Sequence, residues 1–221
     1  MPSEVRKADP AGISARRRWL GRAVWLAVAT VAYNLVEAGV ALYAGVQAGS
    51  IALVGFGLDS VIELAAAAVV LWRLRLEARG AEVDRVRSVE AGVTRFVGVT
   101  LVALAAYVII QSVWVLWTRH APQESWLGVV LAILSLLIMP LLGIGKLRAA
   151  DELGSRALRQ EAKETLACAY LSFALLLGLG ANALAGWWWA DPAAALLMVP
   201  WLLREGLEAL EGGEDEGGLS G

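Results

Sequence analysis

The stretch Gly49–Arg75, GSIALVGFGLDSVIELAAAAVVLWRLR, is an apolar run with two carboxylates near its middle and arginines at its end. A bilayer core about 30 Å thick is crossed by roughly 20 apolar residues in an α-helix. Between Ser50 and Trp72, only Asp59 and Glu63 carry a charge. The segment therefore predicts a transmembrane helix with an acidic pair at its centre.

Apolar blocks of similar length recur along the 221-residue chain, of which 58% is hydrophobic. Together with the first one they cover about 20–43, 50–72, 96–117, 126–145, 165–185 and 187–203. The sixth block is the weakest, because Asp191, Pro192 and Pro200 interrupt it. We expect an all-α, polytopic membrane protein built as a six-transmembrane-helix bundle.

Basic residues indicate the orientation of this bundle. Of the 19 lysines and arginines, all except Arg119 lie in the N-terminal segment, in the second and fourth connections, near the C-terminus, or at the adjoining helix edges. Cytoplasmic loops carry such an excess of Lys and Arg. Both termini are therefore predicted to be cytoplasmic, and the protein to be a multi-pass component of the plasma (cytoplasmic) membrane, with the lipid bilayer as its surroundings.

Composition divides the chain into a cytoplasmic N-terminal segment (1–18), a six-helix transmembrane domain (19–208) and a disordered acidic tail (209–221). A net charge of −2 argues against nucleic-acid binding. The single cysteine excludes an intramolecular disulfide, and the single histidine excludes a histidine-rich metal site. No HExxH or GxSxG motif occurs, so we do not expect an enzyme.

The acidic pair indicates a cation site. Asp59 and Glu63 are four residues apart, which places them on one helix face with Cβ atoms roughly 5–6 Å apart. A charged side chain at bilayer depth costs at least about 2.5–3.5 kcal/mol, and a bound divalent cation would relieve their repulsion. The alternative is a structural pair, hydrogen-bonded to Asn34 or Ser60.

Three further polar residues allow two interpretations each. Glu37, together with Asn34 on the first helix, suits either structural hydrogen bonding or a supporting place on an ion's path. Glu164 and Cys168 repeat the four-residue spacing on the fifth helix. Glu164 could equally be a solvated helix end, and Cys168 a small packing residue.

Three segments resemble the transmembrane domain of the cation diffusion facilitator (cation efflux) family: Gly49–Arg75, YNLVEAGVALYAG (Tyr33–Gly45) and WADPAAALL (Trp189–Leu197). The resemblance covers about Trp19 to Glu208. In this family, two residues of the second helix and two of the fifth bind the metal. Aligning SRALRQEAKETLACAYLS (Ser155–Ser172) with the family pattern S-x-A-L-x-A-D-A-x-H-x-x-x-D implies the metal ligands Asp59, Glu63, Glu164 and Cys168.

The sequence departs from the family in two ways. Glu164 and Cys168 replace histidine and aspartate, although Zn²⁺ accepts carboxylate and thiolate ligands. We also expect the usual C-terminal cytoplasmic domain to be lacking, as only a short segment follows Arg204.

The resemblance implies efflux of a divalent cation, Zn²⁺ or one of Cd²⁺, Co²⁺, Mn²⁺ and Fe²⁺. Because metal ligands must be deprotonated, protons compete with the metal, and we expect them as the counter-ion of an antiport. Such a transporter is expected to require no cofactor, and the resemblance is compatible with a homodimer. The alternative is a non-transporting membrane scaffold with a degenerate metal site.

Overall fold

The computed structural model describes residues 10–78, 83–120 and 122–217. These residues form six α-helices and no strand. The helices are α1 (Pro10–Ala48), α2 (Ile51–Ala78), α3 (Val83–Thr118), α4 (Trp126–Leu153), α5 (Arg156–Ala185) and α6 (Ala190–Gly217). The predicted all-α, six-helix architecture is confirmed.

Five of the six helices, α1 to α5, are long and apolar enough to cross a membrane in the described part of the chain. Their outer faces are apolar, with exposed side chains such as Trp25, Val46, Trp117 and Leu184. Helix α6 is not among the five, because its apolar stretch is short and is bounded by Asp191 on one side and by Arg204 and Glu205 on the other. It nevertheless packs within the bundle, against α3, α5 and α2.

The connections α1–α2 and α4–α5 are two residues long, so each pair of helices is antiparallel. Gly49 and Gly154 adopt left-handed φ values of 64° and 65°, which glycine reaches without a Cβ clash. After Gly154, the side chain of Ser155 accepts a hydrogen bond from the backbone N–H of Leu158 and caps α5.

Helix α2 lies at the centre of the bundle. The most extensive packing joins α4 to α5, α3 to α6 and α1 to α2, and α2 also contacts α3, α5 and α6. Gly57 permits the close approach of α1, since a Cβ there would lie 3.0 Å from the Ala41 Cβ and from the Leu42 backbone nitrogen. Helix α2 therefore packs closely against α1 at this point.

Asp191, which interrupts the sixth apolar block, connects the starts of α6 and α2. Its carboxylate accepts a hydrogen bond from the Ser50 hydroxyl and another from the Ile51 backbone N–H at 2.9 Å. A carboxylate is favourable at a helix N-terminus, where backbone N–H groups lack partners. The residue that weakens the hydropathy of one helix therefore caps another.

Two helices extend beyond the domain limits predicted from composition. Helix α1 begins at Pro10, within the segment 1–18, and α6 is helical to Gly217, although a disordered tail is predicted from residue 209. Leu210 explains part of this extension, because its side chain packs at Gly98 of α3. Residues 1–9 and 218–221 of the two predicted terminal segments lie outside the described residues.

Candidate cation site

The acidic pair of α2 faces a cleft between helices. Asp59 is 5% exposed and Glu63 is half-buried. The cleft is lined by Asp59, Ile62, Glu63, Ala66, Val97, Leu101, Glu164, Trp201 and Glu205. Three predicted ligands, from α2 and α5, thus share one cleft whose remaining wall is mostly apolar.

Cys168, the fourth predicted ligand, is not among the residues that line this cleft. Its side chain is fully buried, and its Sγ donates to Glu37 Oε2 at 3.9 Å. The four-residue spacing on α5 therefore places Glu164 at the cleft and Cys168 one turn further along, against α1.

Glu37 forms the centre of a buried hydrogen-bond network. Its side chain is 0% exposed and accepts from the hydroxyls of Ser60, at 3.0 Å, and Ser135. Tyr33 shares a hydrogen bond with the Ser135 hydroxyl at 2.8 Å. Buried carboxylates persist when donors of this kind satisfy them. With Cys168 as the member from α5, the network joins α1, α2, α4 and α5.

Asn34 connects the first helix to the acidic pair. Its side-chain Nδ2 donates to Glu63 Oε2 at 3.0 Å, and Asn34 is 0% exposed. A buried donor held this way restricts the rotamers of the carboxylate that it contacts. Of the two supporting residues predicted on α1, Asn34 contacts the acidic pair and Glu37 contacts Cys168.

Three residues that the structure places at or near the site do not stand out in the sequence patterns described above. Glu205 of α6 lines the cleft with the predicted acids. Lys146, counted from the sequence among the basic residues of the cytoplasmic edge, is 0% exposed and pairs with the 4% exposed Glu161. The spacing of Glu161 and Glu164 on one face of α5 was the available signal.

The described residues contain no group of three or more His, Cys, Asp or Glu side chains already arranged to hold a metal ion. The carboxylates of α2 and α5 share the cleft without converging on one point. The ligand set Asp59, Glu63, Glu164 and Cys168 therefore stays a prediction.

Comparisons with known proteins agree with this architecture. The sequence model of the cation efflux transmembrane domain matches residues 27–211. An uncharacterized transporter of Synechocystis sp. is 27% identical over 194 residues, which cover 83% of this chain. The match spans only 63% of that relative's length.

Proposed function

The chain belongs to the cation efflux family, and from this premise we propose that it transports a divalent metal cation through the cleft between α2 and α5. The proposal depends on one observation. Asp59 and Glu63 of α2 and Glu164 of α5 line the same cleft inside the helix bundle. Their otherwise apolar surroundings make a cation the natural partner of these acids, because unpaired charges are costly there.

Helix α2 gives the proposed site its selectivity for charge. Asp59 and Glu63 are one turn apart, and Asn34 holds one oxygen of Glu63. A divalent cation between these acids and Glu164 would offset their mutual repulsion, whereas a monovalent cation would leave a larger net negative charge. The cleft therefore favours 2+ ions over Na⁺ or K⁺.

A zinc-like ion suits the wider donor set. Carboxylates accept most divalent ions, whereas a thiolate favours softer ions such as Zn²⁺ and Cd²⁺. Cys168 joins the ligands after a rotation of its side chain away from Glu37, since it lies one turn from Glu164 on the same helix. Co²⁺, Mn²⁺ and Fe²⁺ are the other candidate substrates.

We place the arginine-rich ends of the helices in the cytoplasm of a plasma membrane and assign efflux as the direction. Moving a 2+ ion out against 100 mV costs about 4.6 kcal/mol, at about 2.3 kcal/mol per charge. Metal and protons compete for the same carboxylates. Protons entering from outside can therefore displace the ion and supply part of this energy, as in an antiporter.

Transport by purified protein in proteoliposomes tests the proposal. Uptake of Zn²⁺, Cd²⁺, Co²⁺, Mn²⁺ and Fe²⁺ is measured for the parent protein. Uptake of Zn²⁺ and Cd²⁺ is also measured for Asp59→Asn and for Asp151→Asn, an exposed control whose side chain is 59% accessible. We expect Asp59→Asn to lower uptake at least about tenfold. Equal uptake by the two variants would show that Asp59 is not part of the site. The absence of uptake of all five ions by the parent protein would exclude transport.

The alternative, a membrane scaffold that retains the fold without transport, has one observation in its favour. Cys168 faces Glu37 rather than the cleft, which is the arrangement of a packing residue. The same liposome assay separates the two functions, because a scaffold would show no uptake even with an intact bundle.

A further inference from the structure

A second, smaller cleft lies between α1, α2 and α5. It is narrow and is lined by Thr30, Asn34, Glu63, Ala67, Glu161, Glu164 and Thr165. Glu63 follows Asp59 toward the arginine-rich end of α2, and Glu161 precedes Glu164 toward the same end of α5. The smaller cleft is therefore displaced from Asp59 by about one helical turn toward the predicted cytoplasmic side.

Two oxygen atoms of this lining have no hydrogen-bond partner among the described residues. They are Asn34 Oδ1 and Glu161 Oε2, and their residues are 0% and 4% exposed. Buried polar atoms are nearly always satisfied in folded proteins. These two atoms belong to α1 and α5, and their residues line the cleft together with Glu63 and Glu164. A cation bound there would provide both oxygen atoms with the partner that they lack.

Lys146 of α4 provides a positive charge at the edge of this cleft. Its ammonium group donates to Glu161 Oε1 and, at 2.9 Å, to Thr165 Oγ1. The lysine is fully buried, so it partly neutralises the acids that line the cleft. An incoming cation would share Glu161 with this lysine and would be repelled by it.

We propose that the smaller cleft is a second cation site, which takes a hard divalent ion through oxygen atoms of Asn34, Glu161 and Glu63. Lys146 acts there as a resident competitor that keeps binding weak. Oxygen-only ligation suits ions such as Mn²⁺ and Mg²⁺. Binding of an ion in the smaller cleft does not require that the protein transports metal. A role of this site as the cytoplasmic-side stage of transport rests on the proposed function.

Mn²⁺ binding to the purified full chain in detergent, followed by electron paramagnetic resonance, tests this site. Lys146→Met removes the competitor and leaves Glu161, whereas Lys163→Met removes an exposed lysine of α5 as a control. We expect Lys146→Met to bind Mn²⁺ at least about tenfold more tightly than the parent. Lys163→Met should match the parent, and adding Glu161→Gln to Lys146→Met should abolish the gain.

A second variant decides the matter if Lys146→Met does not fold. Asn34→Asp keeps the unpartnered Oδ1 and replaces the amide nitrogen, which donates to Glu63, by a second oxygen. The added negative charge should also tighten Mn²⁺ binding, because it outweighs the loss of this one donor. The proposal is overturned if neither variant binds Mn²⁺ more tightly than the parent.

Asp59→Asn separates the two clefts. Asp59 lines only the larger one, so the gain of Lys146→Met should persist when Asp59→Asn is added. Loss of the gain would place the bound Mn²⁺ in the larger cleft and overturn the second site. Failure of Zn²⁺ transport alone would contradict the proposed function and leave the Mn²⁺ result intact.

Discussion

Asn34 of α1 donates a hydrogen bond to Glu63 of α2, with 3.0 Å between Nδ2 and Oε2. This contact joins two helices at the acidic pair and holds one carboxylate oxygen in a defined direction. Asn34 carries no charge itself, so its effect on a bound ion would act through Glu63. Such supporting contacts commonly change metal affinity by about 10- to 100-fold.

Replacing Asn34 by alanine should raise the Zn²⁺ concentration for half-maximal uptake roughly tenfold, because Glu63 loses its positioning donor. The maximal rate should change less. Asn182→Ala is the matched control. The Asn182 Nδ2 donates to the Pro122 carbonyl at 3.2 Å, near the opposite end of α5 from Glu164. Concentration-dependent uptake in proteoliposomes measures both, and equal shifts in the two variants would contradict a positioning role.

Replacing Cys168 by serine should change metal preference. If the thiolate joins the ligands, Cd²⁺ uptake should fall more than Mn²⁺ uptake, because oxygen replaces a soft sulfur donor. Serine fits the volume of this fully buried position, so the fold should persist. The ratio of Cd²⁺ to Mn²⁺ uptake is the measurement, and an unchanged ratio would make Cys168 a packing residue.

Ser135→Ala should lower the free energy of unfolding by about 1–3 kcal/mol, because the buried Glu37 carboxylate loses a donor. Ser112→Ala provides the opposite case. The Ser112 hydroxyl is buried without a partner among the described residues, so its removal should be neutral or stabilising. Thermal unfolding in detergent compares the two; equal losses would show that Glu37 gains nothing from Ser135.

Asp191→Ala should destabilise the protein by about 1–3 kcal/mol, since Ser50 and the Ile51 N–H lose their buried acceptor. Asp151→Ala removes an exposed carboxylate that pairs with Arg159 and should cost at most about 1 kcal/mol. The difference in melting temperature between these two variants is the test. A melting temperature for Asp191→Ala as high as that of Asp151→Ala would contradict the cap on α2.

Gly178→Ala should separate α5 from α6. A Cβ at Gly178 would lie 2.5 Å from the Ala194 Cβ and 3.1 Å from the Ala190 carbonyl oxygen. The expected loss of stability is about 1–3 kcal/mol, as for other overpacked interiors. Gly180→Ala is the control on the same helix, because nothing lies within 4 Å of its Cβ position. Unfolding midpoints that agree for both would argue against close packing there.

The sequence was sufficient to predict the six helices and the acidic face of α2. In a bilayer every backbone polar group must find its partner within the segment, so apolar runs of this length become helices. The four-residue spacing then places Asp59 and Glu63 on one face whatever surrounds them. The helix ends were less predictable, because the helices continue past their apolar blocks, as α4 does to Leu153.

Only the tertiary structure decided which polar groups meet. From the sequence, Asp191 is only an interruption of the sixth apolar block; in the structure it caps the neighbouring helix α2. Lys146 is expected at the surface from the sequence, but in the structure it is paired with Glu161 of α5. Hydropathy fixes neither the neighbours of a helix nor its rotation about its own axis. Those depend on contacts between residues far apart in the chain, such as Gly57 against Ala41 and Cys168 against Glu37.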